Sequence, residues 1–308
     1  MKITVLGCGA MGSIYAALLA TAGHEVTAVD ANSDHVAAIN ANGLRVSGAS
    51  GDRTVNIKAQ TEMPLTPAEL LIIAVKGAHV ASASEKAFST IDANSLVLTI
   101  QNGLGSSDIV ADRLGPDRLI VGVAQGFGAS LPEPGHTHHS DMKAIRMGAY
   151  ANLNAGQVAL VSQLYTEAGF DAEPVADIQA MQWDKLICNC AYSAPAALTG
   201  MTVGDIMDDP NISVISRNAA TEAWETARAL KVKIDIPDPV EHVREFASRM
   251  PEAKPSVLLD IEAGRASEVG MINGAVPREA VKVGLTAPVN DILTRLVLAI
   301  EQSRFPGA

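Results

Sequence analysis

Gly7-Cys8-Gly9-Ala10-Met11-Gly12 lies directly behind the run Ile3-Thr4-Val5-Leu6 and opens a helical stretch, Gly12–Ala22. A strand that turns through three glycines into a helix leaves few folds open. The first glycine permits the tight turn, the second lets the backbone approach a pyrophosphate, and the third lets the helix pack closely on the strand. The helix N-terminus then attracts the anion. A second strand candidate, Glu25–Val29, ends in Asp30, 18 positions after Gly12. That is close to the offset of about 20 at which an acid meets the ribose hydroxyls of a bound dinucleotide. Gly7, Cys8, Gly9, Ala10, Met11, Gly12 and Asp30 are therefore candidate cofactor residues. A carboxylate at position 30 repels a 2′-phosphate, and Ala31-Asn32-Ser33 supplies no arginine to receive one. NAD(H) is favoured on that ground, with NADP(H) left open. The competing reading of Asp30 is a turn or helix-capping residue.

The first half of the chain repeats the β-α rhythm. Leu70–Val75, Leu96–Thr99 and Leu119–Val123 read as further strands, and Leu71-Ile72-Ile73-Ala74-Val75 has no polar face. Such runs suit parallel strands covered on both sides. Leu44–Ser47 and Thr54–Ile57 flank a polar turn and predict a hairpin insertion. Residues 126–148 predict irregular strands, with His136, His138 and His139 in loops, and Asp171–Val175 predicts a last short extended segment. From Asp177 the pattern becomes helical: Ile178–Leu198, Ile212–Leu230, Val240–Ser248, Ser256–Ala263, Glu268–Val276 and Pro288–Glu301. The expected fold is α/β: a Rossmann doubly wound parallel sheet over 1–176, followed by an all-helical domain over 177–308. Ser303–Ala308 is expected to fray.

Composition removes several functional classes. The net charge is −11 and no dense basic tract is present, which argues against a nucleic-acid partner. No apolar run reaches about 20 residues, so no membrane span is expected. The N-terminus reads as a strand rather than a signal peptide. Three cysteines, Cys8, Cys188 and Cys190, make no disulfide framework, and a cytoplasmic location follows. Cys188 and Cys190 are two apart on a predicted helix and point in different directions. No ligand at suitable spacing accompanies the histidines, and no metal is expected.

The chemistry is carried by the second half. Trp183-Asp184-Lys185-Leu186-Ile187-Cys188-Asn189 places Lys185 and Asn189 on one helix face, and Ser193 continues it. By itself a lysine in an apolar helix is usually a snorkelling surface residue. Together with Gln101-Asn102-Gly103 after a strand, Val75-Lys76 at a strand end, Gly128-Ala129, and Ser256…Asp260…Arg265…Glu268…Ile272-Asn273-Gly274, it resembles the ketopantoate reductase family along Met1 to Glu301. The glycine loop is common to many dehydrogenases; the Trp-x-Lys-Leu-x-x-Asn motif with a distal Ser-x11-Glu is the specific part.

The resemblance implies a 2-oxoacid reductase with a nicotinamide cofactor and an (R)-2-hydroxyacid product. Lys185 matches the catalytic lysine, which donates a proton to the keto oxygen. Asn102 matches a residue near nicotinamide and substrate. Asn189 and Ser256 match residues that hold substrate polar groups, and Glu268 matches an acid that engages the substrate or positions the lysine. Lys76 matches a cofactor contact. Ser193 stands where the family commonly has an asparagine that grips the substrate hydroxyl, and Gly270 where it often has an aspartate. Both changes remove hydrogen-bonding groups and point away from ketopantoate while leaving 2-oxoacid reduction in place. The alternatives are an NADPH-dependent 2-dehydropantoate 2-reductase proper, a 3-hydroxyacid dehydrogenase of the 6-phosphogluconate type, whose glycine-lysine signature is not evident, and a non-catalytic dinucleotide sensor, which needs neither Lys185 nor Glu268. A small-molecule oxoacid is the expected partner, and a homodimer is left open.

Overall fold

The computed structural model describes residues 1–126, 128–141 and 144–305 and divides into two compact units. Unit one is Met1–Gln101 with Ser106–Ile178. Its strands are β1 (Lys2–Leu6), β2 (Glu25–Val29), β3 (Leu44–Gly48), β4 (Arg53–Val55), β5 (Lys58–Gln60), β6 (Leu70–Ile73), β7 (Leu96–Thr99), β8 (Leu119–Ala124), β9 (Gly128–Glu133), β10 (His136–Asp141), β11 (Ala144–Ala149) and β12 (Asp171–Pro174). Its helices are α1 (Ala10–Thr21), α2 (Ser33–Asn42), α3 (Val80–Ala87), α4 (Ser106–Leu114) and α5 (Ala155–Glu167).

Eight strands form one sheet in the order β12-β11-β8-β7-β6-β1-β2-β5. All neighbouring pairs are parallel except β11 with β8. Every residue of β6 and β7 is buried, as two-sided coverage requires. From β1 the chain winds outward to β2 and β5, then returns to β6 on the other side. The switch point thus falls between β1 and β6, where open α/β sheets bind ligands at the strand ends.

The predicted hairpin is β3 with β4, paired antiparallel. Two features were not legible. Lys58–Gln60 extends the main sheet beside β2. His136, His138 and His139 lie in a strand rather than a loop, because β10 pairs parallel with β3 and antiparallel with β9 to make a second sheet, β4-β3-β10-β9. Helix α1 touches both sheets, and so Gly12–Leu19 is buried on all sides. Tyr15 on α1 meets Tyr165 and Phe170 with ring centroids 5.7 and 5.8 Å away.

A buried histidine fixes the glycine turn. Gly135 N–H donates to His35 Nδ1 at 2.9 Å, so that nitrogen carries no proton. Ser13 Oγ donates to the Cys8 carbonyl at 2.8 Å and lies 3.2 Å from His35 Nε2, which therefore donates to it. Burial lowers the His35 pKa from 6.5. A group neutral in the fold contributes stability that is present above 6.5 and is lost as pH falls through 6.5 toward the lower folded value. Thermal melts at pH 7.5 and 5 should show a drop in Tm that is smaller in His35→Gln. An equal drop in that variant would count against the assignment.

Unit two is Asn102–Gly105 with Gln179–Ala308. Its helices are α6 (Ile178–Thr199), α7 (Val203–Asp208), α8 (Ile212–Ala229), α9 (Pro239–Arg249), α10 (Ser256–Glu262), α11 (Ala275–Val281) and α12 (Pro288–Arg304). Ala219, Ala223 and Ala227 form a fully buried small-residue stripe on α8, which lets neighbouring helices approach closely. The Glu222 carboxylate accepts the Val289 and Asn290 N–H groups, each at 2.9 Å, and so caps α12. The helix predicted over Glu268–Val276 is instead a series of turns as far as Gly274, with α11 beginning at Ala275. Gly270 and Gly274 weaken a helix there, and the Met271 carbonyl accepts from Leu104 N–H at 2.8 Å. Of the expected frayed tail, Ser303 and Arg304 complete α12, and residues 306–308 lie outside the described residues. No helix among the described residues is long and apolar enough to cross a membrane.

Candidate active site

In unit one, Gly7 has φ +92°, and a Cβ on it would come within 2.5 Å of the Val75 nitrogen. A Cβ on Gly12 would meet the Gly7 carbonyl oxygen at 2.0 Å. These two glycines are required by close packing of the β1 turn, α1 and the end of β6. Gly9 differs: it is exposed and nothing lies within 4 Å of where its Cβ would be. The first intrahelical bond of α1 runs from Ser13 N–H to the Gly9 carbonyl at 2.9 Å. The N–H groups of Ala10, Met11 and Gly12 therefore precede the hydrogen-bonded ladder and suit an anion. Buried Cys8 has its thiol pKa pushed up to about 12 by burial, with Ser13 opposing and Asp30 adding to the rise. It contributes backbone, not a nucleophile.

Asp30 directly follows β2, and its Oδ1 accepts Asn32 N–H at 2.9 Å. Asn32, not Asp30, caps α2. Lys76 is half-buried after β6 and leads into a short 3-10 turn, Gly77–His79. The open cradle at Gly9, the helix N-terminus and the acid at the end of β2 together fit a dinucleotide. Gln101 Nε2 donates to the Ile73 and Val75 carbonyls at 2.7 and 3.0 Å, tying the end of β7 to the β6 turn.

In unit two, three residues distant in sequence form one chain of polar contacts. Lys185 Nζ donates to Asn102 Oδ1 at 2.6 Å, and Asn102 Nδ2 donates to Glu268 Oε2 at 3.3 Å. The backbone enforces this. Gly103 has φ +80°, and a Cβ there would fall 1.9 Å from the Met271 carbonyl oxygen. The 102–105 loop can thus press against the turn that begins at Glu268. That turn is in turn anchored to α6 by the buried Asn273, whose Nδ2 donates to the Cys190 carbonyl at 3.0 Å and to Asn290 Oδ1 at 2.9 Å.

Lys185 keeps partial exposure, but protein crowds its ammonium. The resulting desolvation lowers its pKa from 10.5 to about 8, with the Glu268 carboxylate pulling the other way. A lysine tuned toward neutrality is suited to giving up a proton near neutral pH. Asn189 is half-buried one turn along α6, Ser193 is buried a turn further, and Ser256 is exposed at the start of α10. The described structure gives these three no hydrogen bond to the Lys185–Asn102–Glu268 chain. Gly103 and Asn273, present in the sequence motifs without a positioning role, and Met271, to which the motifs give no role, hold this arrangement together. The Asn-Gly pair at 102–103 was the available signal, since glycine there supplies a positive φ.

Comparison with known proteins identifies the family. The family described as "Ketopantoate reductase PanE/ApbA" matches residues 3–152, and its C-terminal counterpart matches residues 177–301. The chain belongs to the ketopantoate reductase family. A 2-dehydropantoate 2-reductase of Pyrococcus horikoshii is 32% identical over 301 residues, 98% of each chain. The crystal structure of a PanE/ApbA family ketopantoate reductase from Ralstonia eutropha superposes with a TM-score of 0.89 at 30% identity, covering 99% of both chains. The fold is also that of a D-mandelate dehydrogenase solved with NADH and anilino(oxo)acetate, with a TM-score of 0.90 at 23% identity over 98% of this chain and 99% of that one. As a ketopantoate reductase family member the protein is an NAD(P)-dependent oxidoreductase, and the expectation of a nicotinamide cofactor holds.

Proposed function

We propose that this enzyme reduces the keto group of a 2-oxoacid to the (R)-2-hydroxyacid, with Lys185 as general acid. The observation that carries the proposal is the Lys185–Asn102–Glu268 hydrogen-bonded chain around an ammonium whose pKa is lowered to about 8. The nicotinamide, when bound, supplies the hydride. The chain's own residues do the rest. Gly9 to Gly12 offer backbone N–H groups to the pyrophosphate, Asp30 offers a carboxylate oxygen to the ribose hydroxyls, and Lys76 adds a cation. Lys185 gives its proton to the keto oxygen as negative charge develops there, and its positive charge stabilises that oxygen beforehand. Glu268 keeps the lysine protonated against desolvation. Asn102 can serve both neighbours in only one amide orientation, oxygen to the ammonium and nitrogen to the carboxylate. Asn189, Ser193 and Ser256 are assigned to the substrate's polar groups. Once neutral, Lys185 regains its proton from solvent through its exposed side.

The Pyrococcus horikoshii relative is a 2-dehydropantoate 2-reductase, which favours 2-dehydropantoate as substrate. Ser193 and Gly270 favour a different 2-oxoacid, because serine at 193 is shorter and has fewer hydrogen-bonding groups than the asparagine common there, and glycine at 270 has no side chain to replace the aspartate. Steady-state assays on a panel of 2-oxoacids, ketopantoate included, with NADH and NADPH, separate the two. Turnover of none of them would sink the proposal.

Cofactor choice gives a sharper expectation. A 2′-phosphate placed beside Asp30 meets a like charge with no arginine in Ala31-Asn32-Ser33. We expect kcat/KM to favour NADH by about 10²-fold, equivalent to roughly 2.7 kcal/mol. Asp30→Ala combined with Ala31→Arg should narrow or reverse the ratio. Equal efficiency, or a preference for NADPH in the unaltered enzyme, would mean that Lys76 outweighs Asp30.

A further inference from the structure

Helix α6 carries a second set of reactive groups on the face next to Lys185. Asp184 and Cys188 are four apart and share a stripe. Helix α9 brings His242 against them. Its position is fixed by Tyr192, whose hydroxyl donates to the Val243 carbonyl at 2.7 Å and whose ring stacks on Phe246 with centroids 6.0 Å apart. One donor atom from each of Asp184, Cys188 and His242 lies within 4.8 Å of the others. His242 Nε2 is 3.3 Å from Asp184 Oδ1, yet it is sealed from solvent and makes no hydrogen bond among the described residues. The Cys188 thiol is buried, and the Asp184 side chain is 51% exposed.

We propose that Asp184, Cys188 and His242 form a binding site for a divalent transition-metal ion of the zinc class. The donor set is the ground for this choice. Sulfur, imidazole nitrogen and carboxylate oxygen are the three ligand types that Zn2+ accepts, and a water completes the tetrahedron. Tetrahedral ligand atoms stand about 3–4 Å apart given the usual zinc bond lengths, so the exposed Asp184 side chain has only a small distance to close. An ion would also engage the sealed His242 nitrogen, which sits beside Asp184 but makes no hydrogen bond among the described residues. On binding, the Cys188 S–H bond breaks, its proton leaves to solvent, and a sulfur–metal bond forms. Thiolate and carboxylate then balance the two positive charges. Burial, and next the Asp184 carboxylate, hold the Cys188 thiol well above its ordinary value, with Arg249 on α9 only partly opposing them, so the ion has to displace a firmly held proton. The open side at Asp184 is the entry path.

The test uses the full-length enzyme stripped with a chelator. Zn2+ is titrated by calorimetry and Co2+ by absorption. The expected result is one equivalent of either ion and a near-ultraviolet thiolate-to-cobalt band. Cys188→Ser should abolish that band, Cys190→Ser should keep it, and His242→Ala and Asp184→Asn should each weaken binding at least tenfold. Far-ultraviolet circular dichroism confirms that each variant is folded; Asp184→Asn, at a half-exposed position, is the variant least able to disturb the core. Absence of stoichiometric binding or of the band in the unaltered enzyme would overturn the proposal, as would undiminished affinity in His242→Ala and Asp184→Asn.

Discussion

Lys185→Ala should lower kcat by about 10²–10⁴-fold while leaving the affinity for NADH near that of the unaltered enzyme, because loss of a positioned general acid removes a transition-state interaction only. The variant deletes the ammonium and leaves the glycine turn of unit one untouched. The pH dependence adds a second signature. Reduction needs Lys185 protonated, and its pKa is lowered to about 8. The reduction rate should therefore fall as pH rises through that value. The limb should vanish from the residual activity of Lys185→Ala. Lys185→Arg keeps the charge, but a guanidinium does not release its proton in this range, so it should recover little turnover and show no limb. Stopped-flow reduction with NADH, together with fluorescence titration of the cofactor, reads both parts. Near-normal turnover in Lys185→Ala would show that water or another group delivers the proton.

Gly103→Ala should be almost as damaging, although it removes no chemical group. The glycine holds φ +80°, and a methyl there would lie 1.9 Å from the Met271 carbonyl oxygen. The left-handed backbone alone costs roughly 1–2 kcal/mol for a residue with a Cβ. The overlap with a carbonyl forces the 102–105 loop off the turn that follows Glu268, breaking the Leu104 N–H bond to Met271. Asn102 then no longer bridges Lys185 and Glu268. A shift of about 1 Å in a catalytic group can cost on the order of 10²-fold, and we expect a kcat loss of that size with a lowered Tm. Gly9→Ala is the contrasting control. Its added methyl meets nothing within 4 Å, so it should preserve Tm and weaken cofactor affinity instead. If Gly103→Ala retains full kcat, the bridging role of Asn102 fails.

Much of this enzyme was legible because its signals are local. Gly7, Gly9 and Gly12 announce a strand–turn–helix through backbone freedom alone, and Asp30 follows at the offset that one βαβ unit imposes. The apolar runs of β6 and β7 declare strands covered on both faces. The long helices α6, α8 and α12 follow from periodicity that no tertiary contact needs to override. Lys185 and Asn189 share a helix face by spacing alone.

The errors fall where long-range contacts outweigh local preference. The helix expected from Glu268 gives way to turns because a carbonyl it would have used, that of Met271, is taken by Leu104 from a loop far upstream. His136, His138 and His139 look like loop residues until β3, 91 positions earlier, pairs with them. The sequence by itself determined a Rossmann unit, a helical unit and a set of candidate side chains for the chemistry. Only the tertiary structure decided that Asn102, 83 positions from Lys185 and 166 from Glu268, joins the two. A hydrogen-bond chain of that span is set by where the backbone packs, and packing of distant segments leaves no periodic trace in the order of residues.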